Sequence, residues 1–133
     1  MDINTYVEQI AASGVPFDVY MKSDMDRHPE VAGRYRYVIE YNRATPIRKA
    51  STINAEARVA GAYVPLPPET VQVDMNGDFI SVHCLVPGRY DFTLPRPCRV
   101  VNMKSGKDEP ARDGILPLEL AAGQTSWFRL MER

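Results

Sequence analysis

The chain has 133 residues, 44% of them apolar, which suffices for one domain with a real core. Sixteen basic residues nearly balance seventeen acidic ones, for a formal net charge of -1. That balance excludes a broad electrostatic pull toward nucleic acid or an anionic membrane. The basic spots, Arg34 with Arg36 and Arg43 with Arg48 and Lys49, read as solvated strand faces. No apolar run approaches the roughly 20 residues that span a bilayer. Met1-Asp2-Ile3-Asn4 has neither the basic nor the apolar region of a secretory signal. The default expectation is a cytoplasmic chain or a piece of something longer.

Asn4 caps a helix expected over Thr5 to Ser13, and Gly14 ends it. Tyr6, Val7, Ile10 and Ala11 give that helix a narrow apolar face. Val15 to Met21 reads as a short strand. Lys22 to Arg34 is a polar connector broken by Pro29 and Gly33, and Tyr35 to Tyr41 reads as a second strand. Helix, strand, connector and strand make a short α/β segment over 1–46. It is too short for a doubly wound domain, which repeats that unit several times.

From about Ser51 the apolar period becomes two, with turn signals at the spacing of a β-sandwich or barrel. Ile53, Ala55, Ala57 and Val59 alternate with polar residues, and Pro65 to Pro68 breaks the chain. Thr70 to Met75 and Asp78 to Val86 form a hairpin about Asn76-Gly77. That turn sets Val73 opposite Ile80 and Val71 opposite Val82. Val71, Val73, Ile80, Val82 and Cys84 then share a core face. A three-residue loop at Pro87-Gly88-Arg89 pairs Tyr90 with Val86, Phe92 with Cys84 and Leu94 with Val82. A one-residue slip would turn Asp91 inward instead. Strands follow at Arg99 to Met103, Ile115 to Leu120 and Thr125 to Met131. The expected fold is mainly β: an antiparallel β-sandwich over 47–133, with a short α/β N-terminal appendage over 1–46.

The sequence offers little catalytic chemistry. Asp18, Asp24, Asp26, Glu30 and Glu40 are the carboxylates available for glycosidase-type acid and base work. Asp24 and Asp26 stand beside Lys22 and Arg27 in a solvated connector, and Glu40 is isolated among tyrosines. His83 and Cys84 are neighbours on one strand and point to opposite faces, so they do not share a metal. Two cysteines, Cys84 and Cys98, make no disulfide framework, and buried free thiols are the expected state. Single glycines at turns build no phosphate cradle. No catalytic residue, metal ligand or cofactor is therefore expected.

The last strand is more informative. Phe128 and Leu130 alternate with Trp127, which places the lone tryptophan on the outer face. Phe79 and His83 fall on the corresponding outer face of their own strand. An outward tryptophan serves as a sugar platform, a contact to a neighbouring domain or a lid over the sandwich end.

Several stretches carry a resemblance. They are Ala60 to Tyr63, Asp78 to His83, Pro87 to Pro95, Cys98 to Lys107 and Leu116 to Thr125. Together they are similar to the C-terminal β-sandwich of large β-galactosidase-like glycoside hydrolases. There a strand ends in Leu-Pro, as Leu94-Pro95 does here. The closing pattern L-x-L-x-x-G-x-T-x-x-F-x-L matches Leu118, Leu120, Gly123, Thr125, Phe128 and Leu130. Asn102 stands where that family usually has an aspartate. Ser13 to Met21, Asp24 and Tyr35 to Asn42 resemble part of the α/β domain that precedes the sandwich in such enzymes and mediates trimer formation in some of them. The resemblance implies a non-catalytic accessory domain, because the family's catalytic carboxylates belong to a barrel this chain lacks.

The function expected is thus accessory: packing against a neighbouring catalytic domain or self-association as a homo-oligomer, with no nucleic acid or membrane partner. A truncated α/β unit leaves strand edges uncovered, and Tyr35, Tyr37 and Tyr41 are the interface residues expected there. The alternatives are a carbohydrate-binding module that meets an oligosaccharide at Trp127, Phe79 and His83, or a small enzyme with an unfamiliar site.

Overall fold

A computed structural model describes residues 3–42, 44 and 46–132, so Arg43 lies outside the described residues. The chain is mainly β, with 29% strand against 24% helix. Its elements are α1 (Ile3–Ala11), α2 (Lys22–Arg27), a 3₁₀ turn (Pro29–Arg34) and α3 (Ala50–Val59). Then come β1 (Val71–Asn76), β2 (Phe79–Cys84), β3 (Gly88–Thr93), β4 (Arg99–Asn102), β5 (Ile115–Leu120) and β6 (Thr125–Met131). The strands build two antiparallel sheets, a four-stranded one in the order β1-β2-β6-β4 and a two-stranded one of β3 and β5.

The core lies between these sheets. Val71, Val73, Ile80, Val82, Cys84, Val100, Phe128 and Leu130 face it from the larger sheet. Phe92, Leu116, Leu118 and Leu120 face it from the smaller, with Leu94 just beyond β3. Alternation along each strand does this, since side chains i and i+2 share a face. Burying each such aliphatic or aromatic side chain stabilises the fold by about 1.5–3 kcal/mol.

The expected inward set of the first hairpin is buried, but its register is shifted by two residues. The strands pair as Val73 with Val82 and Val71 with Cys84. The loop is Gly77-Asp78 rather than Asn76-Gly77, because Gly77 takes the left-handed φ of 59° at the first loop position. A two-residue shift keeps every side chain on its face.

The next pairing differs from expectation in partner. β3 does not pair with β2. β6 occupies that flank, with Ile80 opposite Phe128 and Val82 opposite Ser126. The N–H groups of Leu85 and Val86 both turn back to the Thr70 carbonyl at 3.0 Å. β3 therefore crosses to the second sheet and pairs with β5, Phe92 opposite Leu116. Phe92 and Leu94 still point inward, now from across the core.

Two of the expected N-terminal strands and the one at 53–59 are absent. Residues 15–21 and 35–41 belong to no strand. They meet through side chains: the Tyr20 and Tyr35 hydroxyls lie 2.7 Å apart, and Tyr35 donates to Asp18 Oδ2 at 2.6 Å. Residues 53–59 lie in a helix. Ala50, Ile53, Asn54 and Ala57 are its buried face at i, i+3, i+4 and i+7, while Ala55 is exposed and Val59 is 91% exposed. Asn4 lies inside α1 rather than capping it.

α1 and α3 pack together, and polar contacts tie them to the sandwich. Gln9 Oε1 accepts the Ala50 N–H at 3.0 Å, serving a free donor at the start of α3. The buried Asn54 amide donates to the Ser13 carbonyl at 2.8 Å and to the Leu66 carbonyl at 2.9 Å. Gly14, at φ 76°, lets the chain pass so close that a Cβ there would stand 2.8 Å from the Leu66 and Pro67 carbonyl oxygens. Leu66 is itself part of the core.

Both cysteines are buried thiols, and no disulfide joins them. Cys84 bonds to Gln124 just before β6 begins, whereas Cys98 precedes Arg99, which pairs with Met131 at the end of β6. At about 3.4 Å per residue they sit some 20 Å or more apart, far beyond the roughly 7 Å a disulfide tolerates.

Candidate functional site

The outer face of the four-stranded sheet carries the exposed Trp127 and Phe79. The registers set Gln72, His83 and Thr125 in one row across the sheet. Asp74, Ser81 and Trp127 form the next, and Asn76, Phe79, Arg129 and Val101 the third. Met103 extends the middle row just beyond β4, its N–H bonded to the Trp127 carbonyl at 2.9 Å. Trp127 is 53% exposed, Phe79 48% and Met103 47%. The structure thus brings Trp127, Phe79 and His83 onto one surface. Ser81, directly across from Trp127, is too small to cover the indole.

The polar groups around the ring are held in place. His83 Nδ1 and Thr125 Oγ1 are 2.7 Å apart. The Arg129 guanidinium lies over the Phe79 ring at 5.6 Å from its centroid, within cation–π range. Beside Trp127 is a depression of about 220 Å³ lined by Asn102, Lys104, Gln124, Thr125 and Ser126. Its amides are fixed. Asn102 Oδ1 accepts the N–H groups of Lys104 and Ser105 at 2.9 and 3.2 Å, and Gln124 Oε1 accepts that of Ala121 at 3.0 Å. A second hollow of about 500 Å³ is lined by Asp78, Arg96, Arg129, Leu130, Met131 and Glu132, with Arg96 and Asp78 paired at 2.9 Å.

The tyrosines expected at a strand edge bond within the N-terminal half instead, Tyr35 and Tyr37 half-buried and Tyr41 exposed. The hydrogen bond to Asp18 raises the Tyr35 phenol above its ordinary range, with the Tyr20 contact adding to it. Tyr37 donates to Glu56 of α3. Burial first, and that bond second, push its phenol up to about 12. Tyr41 meets Tyr6 edge to face at 5.8 Å, and Arg48 Nη1 donates to the Tyr6 hydroxyl at 3.0 Å. These bonds moor the irregular stretch after residue 34 to α1 and α3, and no strand edge exists there for a partner to extend.

The carboxylates weighed for acid–base work are dispersed. Asp18 accepts from Tyr35, Asp24 and Asp26 are exposed on α2, Glu30 stands 3.4 Å from His28 Nδ1, and Glu40 is exposed. Burial pushes the Cys84 thiol up, away from the reactive thiolate. Among the described residues, no three His, Cys, Asp or Glu side chains are grouped to hold a metal ion. Nor is any helix there long and apolar enough to cross a membrane.

Met103, Ser81 and Arg129 were missed by sequence reasoning. The signal was the β2–β6–β4 register, which only the structure supplies. No protein-family model, no curated protein and no solved structure matches this chain.

Proposed function

We propose that this chain is a non-catalytic accessory module, of the kind its sequence resembles at the C-terminal end of β-galactosidase-like glycoside hydrolases. Its working surface is the outer face of the four-stranded sheet. One observation carries this reading: Trp127, Phe79 and Met103 stand half-exposed on one side of a sheet whose other side is a closed core. Large apolar side chains gathered with an arginine on one surface are the composition of docking faces. A neighbouring catalytic domain or another copy of the chain supplies the matching surface.

A second reading has its own support. The depression against Trp127 sets amide, hydroxyl and ammonium groups beside an open aromatic ring. A sugar presents the same combination, an apolar ring face edged by hydroxyls.

The test separates the surface from the fold. Replacing Trp127 and Phe79 together by alanine is expected to leave urea stability within about 0.5 kcal/mol per site, as for ordinary surface positions. A loss of core size, about 3–5 kcal/mol, would contradict the docking reading. Titrating the wild-type tryptophan emission with a panel of oligosaccharides then selects between the two occupants.

A further inference from the structure

We infer that the occupant of this outer face is a second copy of the same face. This rests on the docking reading above and adds the partner. Consider a two-fold axis parallel to the strands, over the midline between β2 and β6. It sets each β2 residue against the β6 residue paired with it in the register, now from the other copy. Trp127 then faces the second copy's Ser81, and Phe79 faces the second copy's Arg129. The bulkiest residue of the face meets one of its smallest, a knob over a hole. The cation meets the electron-rich ring that Arg129 already selects within its own chain.

The outer columns agree. The same axis sets Asp74 of β1 over Met103, next to Lys104, so a carboxylate comes beside an ammonium rather than beside its own copy. Asn76 falls over Val101. The arrangement is isologous and closes on itself, so it makes a dimer and not a fibre. It is an aligned packing of two twisted sheets about 10 Å apart, a spacing an indole fills.

The experiment is light scattering coupled to size exclusion on three proteins: the wild type, Ser81→Arg and Trp127→Ala. Loading is at high micromolar concentration, with urea unfolding as the control for folding. The expected result is a wild-type dimer and two monomeric variants that remain folded. Ser81→Arg fills the hole without touching the tryptophan. A wild-type monomer at that concentration overturns the dimer. If its tryptophan emission still responds to oligosaccharide, the face remains a binding surface. A wild-type dimer that survives both substitutions puts the interface elsewhere and overturns the proposed dimer, while the docking reading then rests on a different partner for this face.

Discussion

Asn54 joins two parts of the molecule with one amide. Its donors satisfy the carbonyl that ends the α1 segment and the carbonyl of core residue Leu66, and its oxygen accepts from Arg58 Nε at 3.0 Å. Asn54→Ala leaves two carbonyls without that partner at a buried position. The expected cost is about 1–3 kcal/mol in urea unfolding. Phe92, with 0% exposure, tests the sandwich core in the same way. Phe92→Ala is expected to cost about 3–5 kcal/mol through lost burial and an unfilled cavity. A cost near zero would contradict the placement of β3 across the core. Tyr37 gives a pH signature. Its folded pKa of about 12 lies above the ordinary 10.0, so its contribution is complete below pH 10 and is lost as pH rises toward 12. Ultraviolet titration of Tyr37→Phe is expected to lack one late-ionising phenol, and its stability should decline less between those limits.

At the scale of elements, the strands of the second half were legible because each buries one side only. β5 and β6 begin and end where the sequence placed them, since Ile115 to Leu120 and Thr125 to Met131 alternate cleanly between turns. The partner of β3 was not legible. A hairpin between sequence neighbours and a crossover to a second sheet demand the same alternation, and only the competition of β6 for the flank of β2 decides. α3 was misread because Ile53, Ala55, Ala57 and Val59 satisfy a period of two, while Ala50, Ile53, Asn54 and Ala57 satisfy the helical period equally well. Alanine's helix propensity and the burial of polar Asn54 tip the balance. The stretches 15–21 and 35–41 have strand-like composition, but pairing depends on a neighbour the sequence does not name. Gly14 tests the junction between layers. Gly14→Ala puts a Cβ 2.8 Å from two carbonyl oxygens at a left-handed φ. It is expected to destabilise by more than about 1 kcal/mol, read as a lower urea midpoint.

At the scale of the whole molecule, the two sheets enclose the main core and leave Trp127 and Phe79 open on the outer face, while Tyr6, Ala50, Ile53 and Ala57 are buried apart from that core in the helical half. Trp127 was read correctly as outward, and so were Phe79 and His83, because parity along a strand is visible in sequence. What makes them a surface is their arrangement across β2, β6 and β4, with Ser81 bare beside the indole. That depends on register and strand order, which one sequence does not encode locally. The tyrosines Tyr35, Tyr37 and Tyr41 had the composition of an interface but are used to hold the irregular N-terminal stretch in place.

Trp127 is the chain's lone tryptophan and stands at the centre of the proposed working face, so its fluorescence reports on that face alone. The most direct measurement is acrylamide quenching of this emission as protein concentration is raised from well below to well above the micromolar range. Strong quenching is expected when the protein is dilute, then a blue-shifted emission and weaker quenching as copies meet. Emission and quenching that stay constant across that range, and that no oligosaccharide alters, would contradict the claim that a second copy or a sugar covers this face.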